Sequence, residues 1–199
     1  MKKGVTQKFA QEGVDLKDER IHTTKLIAGV FDLEKLKMSP NFALKTFKDS
    51  YFIGETDPVK NIREGLGVCV YQNGRHYEGS WKNDKRHGKG YEKFSNGNTY
   101  LGEYENGKVC GKGLYTWTNE DTYEGEWLDG MKHGYGVWKN TEGDSYIGQW
   151  MQNMAHGYGV HEWQNGDRYE GEWRNSLRHG QGSDIFANGD LYIGEYVYG

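Results

Sequence analysis

A single period of 23 residues runs through most of the chain. At this spacing a tyrosine recurs, a glycine follows it two places later, and a tryptophan or a second tyrosine follows two places after that. The tyrosines are Tyr77, Tyr100, Tyr123, Tyr146, Tyr169 and Tyr192, and the closing aromatic residues are Trp81, Tyr104, Trp127, Trp150, Trp173 and Tyr196, with Gly79, Gly125 and Gly194 among the glycines between them. A fixed period of this length predicts an array of stacked supersecondary units rather than one compact core.

A second block follows in the same phase. The sequence His-Gly-x-Gly, or Cys-Gly-x-Gly in one copy, begins at His87, Cys110, His133, His156 and His179, and Gly88 and Gly90 are its glycines in the first full copy. An earlier, degenerate copy runs from Phe52 to Gly67 and has two extra residues between its blocks. A still weaker strand is predicted just before it, at residues 42–47.

Tyr-x-Gly-x-Trp, a short spacer, His-Gly-x-Gly and then Asn-Gly before the next tyrosine resembles the MORN (membrane occupation and recognition nexus) repeat. The resemblance covers residues 51–199 as one degenerate copy, five full copies and one partial terminal copy. Two positions depart from the pattern, because Cys110 replaces the turn histidine and Asn119-Glu120 replaces Asn-Gly.

Alternation within each block predicts strands, with tyrosine, glycine and tryptophan on one face and glutamate on the other. The fold class is therefore all-β, an elongated single-layer antiparallel meander of two-stranded hairpins. Tight type I′ turns are expected at the Asn-Gly pairs, because both central residues of such a turn need positive φ. These pairs are Asn73-Gly74, Asn96-Gly97, Asn165-Gly166 and Asn188-Gly189. At ~9.6 Å per hairpin, six copies would extend over about 60 Å.

Residues 1–50 do not repeat, and every tyrosine and tryptophan lies at or beyond residue 51. The two parts also differ in net charge, which is +3 for residues 1–50 and −7 for residues 51–199. We therefore place a boundary near residue 50. Residues 26–31 are expected to form a short strand and residues 32–38 a helical turn that ends before Pro40. The segment is either a partly ordered tail or a docking segment.

The histidines of the second block do not predict a metal or catalytic site. His87, His133, His156 and His179 occupy one repeat position, so adjacent copies would lie ~9.6 Å apart or farther. Zinc ligands must converge at about 2 Å from one ion. We expect these histidines to hydrogen-bond to nearby backbone, and we predict neither a cofactor nor a metal.

Charged residues suggest where a partner would bind. The glutamates of the first block are translated copies rather than a pair of acids in one cleft, so they indicate a solvated acidic face. They are Glu78, Glu103, Glu124, Glu126, Glu170, Glu172 and Glu195, and Glu124, Glu126, Glu170 and Glu172 form the candidate partner face. The net negative charge of the array disfavours nucleic acid and anionic lipid. Basic residues before the second block predict one basic margin, which either keeps the protein soluble or completes a dipolar groove. These are Lys82, Lys85, Arg86, Lys108, Lys132, Arg174 and Arg178.

The resemblance implies a non-catalytic, cytoplasmic protein-binding scaffold. MORN arrays occur in radial spoke heads and other axonemal parts, in cortical and junctional scaffolds near membranes, and beside catalytic domains of some lipid kinases and lysine methyltransferases. A structural component of a ciliary or axonemal assembly is the favoured interpretation. A membrane-associated scaffold that binds anionic lipid and the regulatory region of a larger enzyme are the alternatives.

The last copy predicts an open sheet edge. Tyr192, Gly194 and Tyr196 form a first strand, and no second block follows it. Three alternatives are open: the sequence is part of a longer array, a partner adds a strand at this edge, or two copies meet there as a homodimer.

Overall fold

A computed structural model of the chain describes residues 18–199, and most of them lie in one antiparallel sheet. Its 14 strands follow one another in chain order, and the sheet does not close on itself. The predicted all-β, single-layer meander is confirmed. The strands are β1 Phe42–Thr46, β2 Ser50–Asp57, β3 Ile62–Tyr71, β4 His76–Lys82, β5 Lys85–Lys93, β6 Thr99–Glu105, β7 Lys108–Thr116, β8 Thr122–Leu128, β9 Met131–Lys139, β10 Ser145–Met151, β11 Met154–Glu162, β12 Arg168–Arg174, β13 Leu177–Ile185 and β14 Leu191–Tyr196.

A continuous row of glycines crosses the sheet and explains why the Gly-x-Gly blocks recur. One glycine of each strand from β2 to β14 pairs with a glycine of the next, beginning with Gly54 opposite Gly67 and ending with Gly182 opposite Gly194. The tyrosine rings lie across this row. A Cβ on Gly79 would lie 2.5 Å from the Cα of Gly90, and one on Gly90 would lie 2.5 Å from the Tyr77 hydroxyl. No larger residue fits there, so the glycine row makes room for the aromatic layer.

The aromatic layer is the main core. Each tyrosine of the 23-residue period from Tyr77 to Tyr169 meets the closing aromatic residue of its own copy and that of the next copy, edge to face. Ring centres lie 5.1 Å apart for Tyr123 and Trp127 and 5.2 Å apart for Tyr123 and Trp150. This is the favoured geometry for aromatic pairs, and each pair contributes about 0.5–1.5 kcal/mol beyond its buried area. Contacts of this kind link each copy to its neighbours along the array.

The positions of the two kinds of turn differ from the prediction. Two-residue turns with both φ values positive lie inside each full copy, between the closing aromatic residue and the second block, as at Asn106 (51°) and Gly107 (89°). The predicted type I′ turns at the Asn-Gly pairs are wrong, because these pairs lie in longer loops where only the glycine has positive φ. In one such loop, Asn96 Oδ1 accepts a hydrogen bond from the backbone N–H of Asn98 at 3.1 Å. The asparagine thus stabilises the loop through its side chain rather than through a left-handed backbone.

The segment before the array packs on the sheet face that carries the glutamates. Helix α1 is Glu19–Thr23 and helix α2 is Leu33–Lys37, which confirms the predicted helical turn before Pro40. Ile21 and Leu36 are buried against Phe42 and Ile53. The strand predicted at residues 26–31 is wrong, since the structure has no strand there. The predicted interpretations of residues 1–17 lie outside the described residues.

The sheet starts at Phe42, ahead of the repeat pattern, with the weak strand that the sequence suggests. Neither of the two helices of the described chain is long and apolar enough to cross a lipid bilayer.

Candidate interaction surfaces

The sheet has two chemically distinct faces. We call the face that carries the tyrosine and tryptophan rings of the 23-residue period the aromatic face. The opposite face, which carries Glu78, Glu124 and Glu170 and the alternate side chains around them, is the glutamate face. Strand geometry dictates this separation, because successive side chains point to opposite sides.

Most tyrosine and tryptophan side chains of the aromatic face donate hydrogen bonds to backbone carbonyls of the sheet. The Tyr123 hydroxyl donates to the carbonyl of Glu126 at 3.0 Å, and the same bond recurs at Tyr77, Tyr146 and Tyr169. The Trp127 indole N–H donates to the carbonyl of Gly113 at 3.2 Å, with equivalents at Trp81, Trp150 and Trp173. Burial raises the pKa of these four tyrosines, so their hydroxyls stay protonated as donors. The polar atoms of these tyrosines and tryptophans therefore form hydrogen bonds within the repeat array.

The turn histidines do not behave as expected. They are half-buried, and the Nδ1 atoms of His156 and His179 are buried without a hydrogen-bond partner among residues 18–199. The predicted bond from a turn histidine to backbone is therefore wrong for these two. The backbone amide of the adjacent bulge already has another acceptor. On the glutamate face, Glu172 Oε1 accepts the backbone N–H of Gln181 at 3.1 Å. In the described part of the chain, no three His, Cys, Asp or Glu side chains are grouped as a metal site would require.

Three of the predicted margin cations instead lie on the aromatic face. Arg86, Lys132 and Arg178 each precede a turn histidine and rest over aromatic rings. The prediction of a solvated basic margin is wrong for these three. Each of the three charged groups lies within 6.0 Å of the centres of at least two of these rings. The other four cations of the prediction, Lys82, Lys85, Lys108 and Arg174, are exposed.

Two of these three cations are neutralised by acids that the repeat pattern had not singled out. Arg178 bonds to Asp184 at 2.8 Å, and the Tyr196 hydroxyl donates to the same carboxylate at 2.7 Å. Arg86 likewise bonds to the fully buried Glu92, together with Arg75 and the Tyr104 hydroxyl at 2.9 Å. A signal was present in the sequence, because tyrosine replaces tryptophan at positions 104 and 196 and an acid stands twelve residues before each.

The third cation, Lys132, has a different environment. Its Nζ lies 3.9 Å from the centre of a Trp150 ring and 5.4 Å from that of Tyr123. Trp138 occupies the position that Glu92 and Asp184 hold in the other two copies. Burial lowers the pKa of Lys132 to about 8.

On the glutamate face, Glu78 binds backbone of the preceding segment. Its carboxylate accepts the amide N–H of Ile27 at 2.9 Å and that of Ala28 at 2.5 Å, and it is fully buried. The expectation that Glu78 belongs to a solvated acidic face is therefore wrong. The same contact explains why residues 26–31 do not form a strand, since Ile27 and Ala28 donate to a side chain rather than to a neighbouring strand.

Glu124 and Glu170 are equivalent to Glu78, displaced by two and four copies. Glu124 is exposed, and Glu170 is half-exposed with the Tyr158 hydroxyl donating to it at 2.8 Å. Leu101 and Ile147 occupy the intervening copies and are exposed.

Glu126 and Glu172, the other two residues of the candidate partner face, turn back onto the sheet. Glu126 accepts the backbone N–H of Tyr135 at 3.2 Å, and Glu172 makes the equivalent bond to Gln181. Each therefore holds a bulge amide of its own copy, although the residues remain exposed.

Tyr192, Gly194 and Tyr196 lie on β14, which pairs with β13 on one side. No other strand of residues 18–199 pairs with its second edge. Tyr196 is buried in the aromatic layer, whereas Tyr192 is 46% exposed. Strand addition by a partner, or pairing with a second copy, stays a prediction for this edge.

Comparison with known proteins identifies the repeats. The family model described as MORN repeat matches residues 59–74, 77–99, 100–122, 123–145, 146–168 and 169–191. No curated protein matches the sequence.

Several solved structures are similar to part of the fold. The TCP10 domain of Danio rerio CPAP is 11% identical, with 78% of this chain and 74% of that chain covered and a TM-score of 0.44. The Drosophila melanogaster SAS-4 (dCPAP) TCP domain, in complex with a proline-rich motif of Ana2, is 13% identical, with 80% and 92% covered and a TM-score of 0.38. Virginiamycin B lyase from Staphylococcus aureus is 12% identical, with 81% and 58% covered and a TM-score of 0.19.

Proposed function

The chain belongs to the MORN repeat family, and we propose that it is a non-catalytic scaffold that holds a segment of a partner protein against its glutamate face. MORN repeats suggest a protein-binding or membrane-binding region. The exposed carboxylates of the glutamate face favour a protein over anionic lipid, because like charges would repel an anionic surface.

The observation that carries the proposal is the contact between Glu78 and the backbone of residues 27 and 28. This contact shows how a carboxylate of the glutamate face holds a segment that crosses the sheet. Hydrogen bonds from backbone N–H groups to an ionised carboxylate are about twice as strong as neutral ones. Glu124 and Glu170 repeat the Glu78 position. Glu124 is exposed and offers a partner the same kind of acceptor, and Glu170 offers the lone pairs that the Tyr158 hydroxyl and Arg168 leave unused.

The side chains beside these glutamates determine what kind of partner segment fits there. Glu124 lies between Leu114 and Val137 on the neighbouring strands, and Val160 pairs with Glu170. At the start of the array, segment 18–41 already covers apolar side chains of the same face, because Ile21 and Leu36 are buried in one cluster with Ile53. The partner segment therefore carries apolar side chains and a bend that presents two consecutive backbone N–H groups.

For the wider setting, we propose a ciliary or other cytoskeletal assembly such as a radial spoke head. The support is the resemblance of Tyr-Glu-Gly-Glu-Trp and Arg-His-Gly-Gln-Gly, at residues 169–173 and 178–182, to radial spoke head repeats. Microscopy of the tagged chain in ciliated cells tests this setting. Axonemal or other filament-bound signal is expected, and a diffuse signal that washes out on permeabilisation would contradict it.

Affinity capture with quantitative mass spectrometry tests the partner face. The bait is the full chain as wild type, as the double variant Glu124→Lys and Glu170→Lys, and as the control Glu142→Lys, whose glutamate lies in an exposed loop. We expect a set of proteins to be lost from the double variant and retained by the control. Identical protein sets for all three baits would contradict binding through the glutamate face.

A further inference from the structure

Three cations stand at equivalent places on the aromatic face, at intervals of 46 residues, or two copies. Arg86 lies 5.2 Å from the centre of the Tyr104 ring, and Arg178 lies 5.4 Å from that of Tyr196. The third, Lys132, lies 3.9 Å from the centre of a Trp150 ring. All three also face the tyrosine of the preceding strand. The full copies therefore build the same cation position three times. In the degenerate copy, Arg63 lies over the Trp81 ring at the equivalent place and pairs with Asp84.

In two of the three places the cation has a carboxylate partner within the chain. Glu92 and Asp184 each receive an arginine and a tyrosine hydroxyl. Both acids are buried, so each carboxylate depends on its arginine and its tyrosine hydroxyl for partners. This arrangement satisfies the rule that a buried charge is paired and hydrogen-bonded.

The place around Lys132 has the cation and the rings but no acid. Trp138 stands where Glu92 and Asp184 stand, and Trp150 stands where the tyrosine hydroxyls lie. The Trp150 indole donates to the carbonyl of Gly136 at 3.2 Å and offers nothing to an anion. Within residues 18–199, no carboxylate forms an ion pair with Lys132, and burial alone accounts for its lowered pKa. The ammonium therefore lies among aromatic rings without a counter-ion.

We propose that Lys132, with Trp117, Tyr123 and Trp150 around it, binds the carboxylate side chain of a glutamate or aspartate from a partner protein. We call these four residues the Lys132 box. The carboxylate takes the role that Glu92 and Asp184 have in the equivalent copies. Charge complementarity selects an acid, because a cation among aromatic rings gains most from an anion brought into the same low-dielectric site.

The aromatic rings around the Lys132 box determine which partner residues can flank that acid. Tyr115 and Trp138 are half-buried and packed against the aromatic layer, so parts of their rings remain accessible. Apolar side chains on either side of the acid would cover these rings and exclude water from the ion pair. The partner sequence is thus an acid between apolar residues. This site lies on the opposite face from Glu124 and Glu170 and is independent of the proposed binding there.

Two blocked tripeptides test the site on the full chain. The first is acetyl-Leu-Glu-Leu-amide and the second is the uncharged control acetyl-Leu-Gln-Leu-amide. Nuclear magnetic resonance of ¹³Cε-labelled lysine follows the titration midpoint of Lys132 while each peptide is added. We expect the glutamate peptide to bind about tenfold more tightly than the glutamine peptide and to raise the Lys132 midpoint. The glutamine peptide should leave the midpoint unchanged.

Two variants distinguish the box from nonspecific peptide binding. Lys132→Met removes the cation and should abolish the preference for the glutamate peptide. Trp138→Glu supplies an internal carboxylate at the Glu92 position and should block that peptide. The double variant Glu124→Lys and Glu170→Lys should bind the peptide as wild type does, which separates this site from the glutamate face.

Equal affinity for the two peptides would overturn the proposal, as would no detectable binding at millimolar concentration. An unchanged preference in Lys132→Met would overturn it as well. Circular dichroism confirms that each variant folds. If Trp138→Glu does not fold, the comparison of wild type with Lys132→Met still decides, because methionine matches the length of the lysine stem.

Discussion

Replacing Lys132 with methionine should stabilise the isolated chain near neutral pH. In the folded protein the Lys132 ammonium is partly buried among Trp117, Tyr123 and Trp150, and burial lowers its pKa from 10.5 to about 8. In the unfolded chain the same ammonium is fully solvated. Methionine keeps the apolar stem and removes the charge that must leave water on folding.

The magnitude follows from this pKa shift. Each unit is worth 1.36 kcal/mol, so a shift from 10.5 to about 8 corresponds to roughly 3 kcal/mol before solvent screening. Lys132 is only half-buried, which reduces the figure, and loss of the cation–π contact costs ~0.5–1 kcal/mol. A net gain of about 1–2 kcal/mol in the free energy of unfolding remains.

The sign of the pH dependence gives the assay its control. Because the folded pKa lies below the unfolded one, the penalty is fully present below about pH 8 and disappears as the pH rises through the unfolded value of 10.5. Urea unfolding followed by tryptophan fluorescence should therefore show an advantage for Lys132→Met at about pH 7 that shrinks towards about pH 10. A variant that is less stable than wild type at neutral pH, or a difference that does not change with pH, would refute this reasoning.

Three further predictions concern the fold. Trp127→Ala should lower the free energy of unfolding by about 3–5 kcal/mol, because it removes a buried ring. Glu126→Ala should lower it by only about 1 kcal/mol, because it removes one hydrogen bond. Equal shifts in urea midpoint would show that the faces are wrongly assigned. Glu78→Gln should speed amide exchange of residues 27 and 28 about tenfold in hydrogen-exchange mass spectrometry, because a neutral acceptor replaces a charged one, and unchanged exchange would speak against the contact. Burial lowers the pKa of His161 below 6.5, so wild type should lose stability as the pH falls below 6.5 whereas His161→Phe should not; parallel pH profiles in thermal unfolding would count against it.

The architecture could be predicted because the signal is repeated. Tyrosine, glycine and tryptophan at one fixed phase determine the strands, the faces and the glycine row, and six copies reinforce the pattern. Turn geometry was less predictable, because asparagine before glycine is compatible with two loop types. The longer loop forms where the asparagine side chain accepts a backbone amide.

Contacts that break the repeat were beyond the sequence pattern. Nothing in the local sequence indicates that Glu78 meets Ile27 and Ala28, because that contact joins residues about fifty positions apart across a non-repeating segment. The position of Lys132 over aromatic rings was missed for a related reason. A lysine before a turn usually points to solvent, and its burial depends on rings contributed by three different strands and loops.

The central claim is that Glu124 and Glu170 bind a partner segment as Glu78 binds residues 27 and 28. The most direct measurement is isothermal titration calorimetry of the full chain with a synthetic peptide of residues 18–41, which supplies the same apolar side chains and consecutive N–H groups in trans. We predict binding to wild type and to the control Glu142→Ala, and loss of binding in the double variant Glu124→Ala and Glu170→Ala. Equal binding to all three proteins, or no binding to wild type, would contradict the claim.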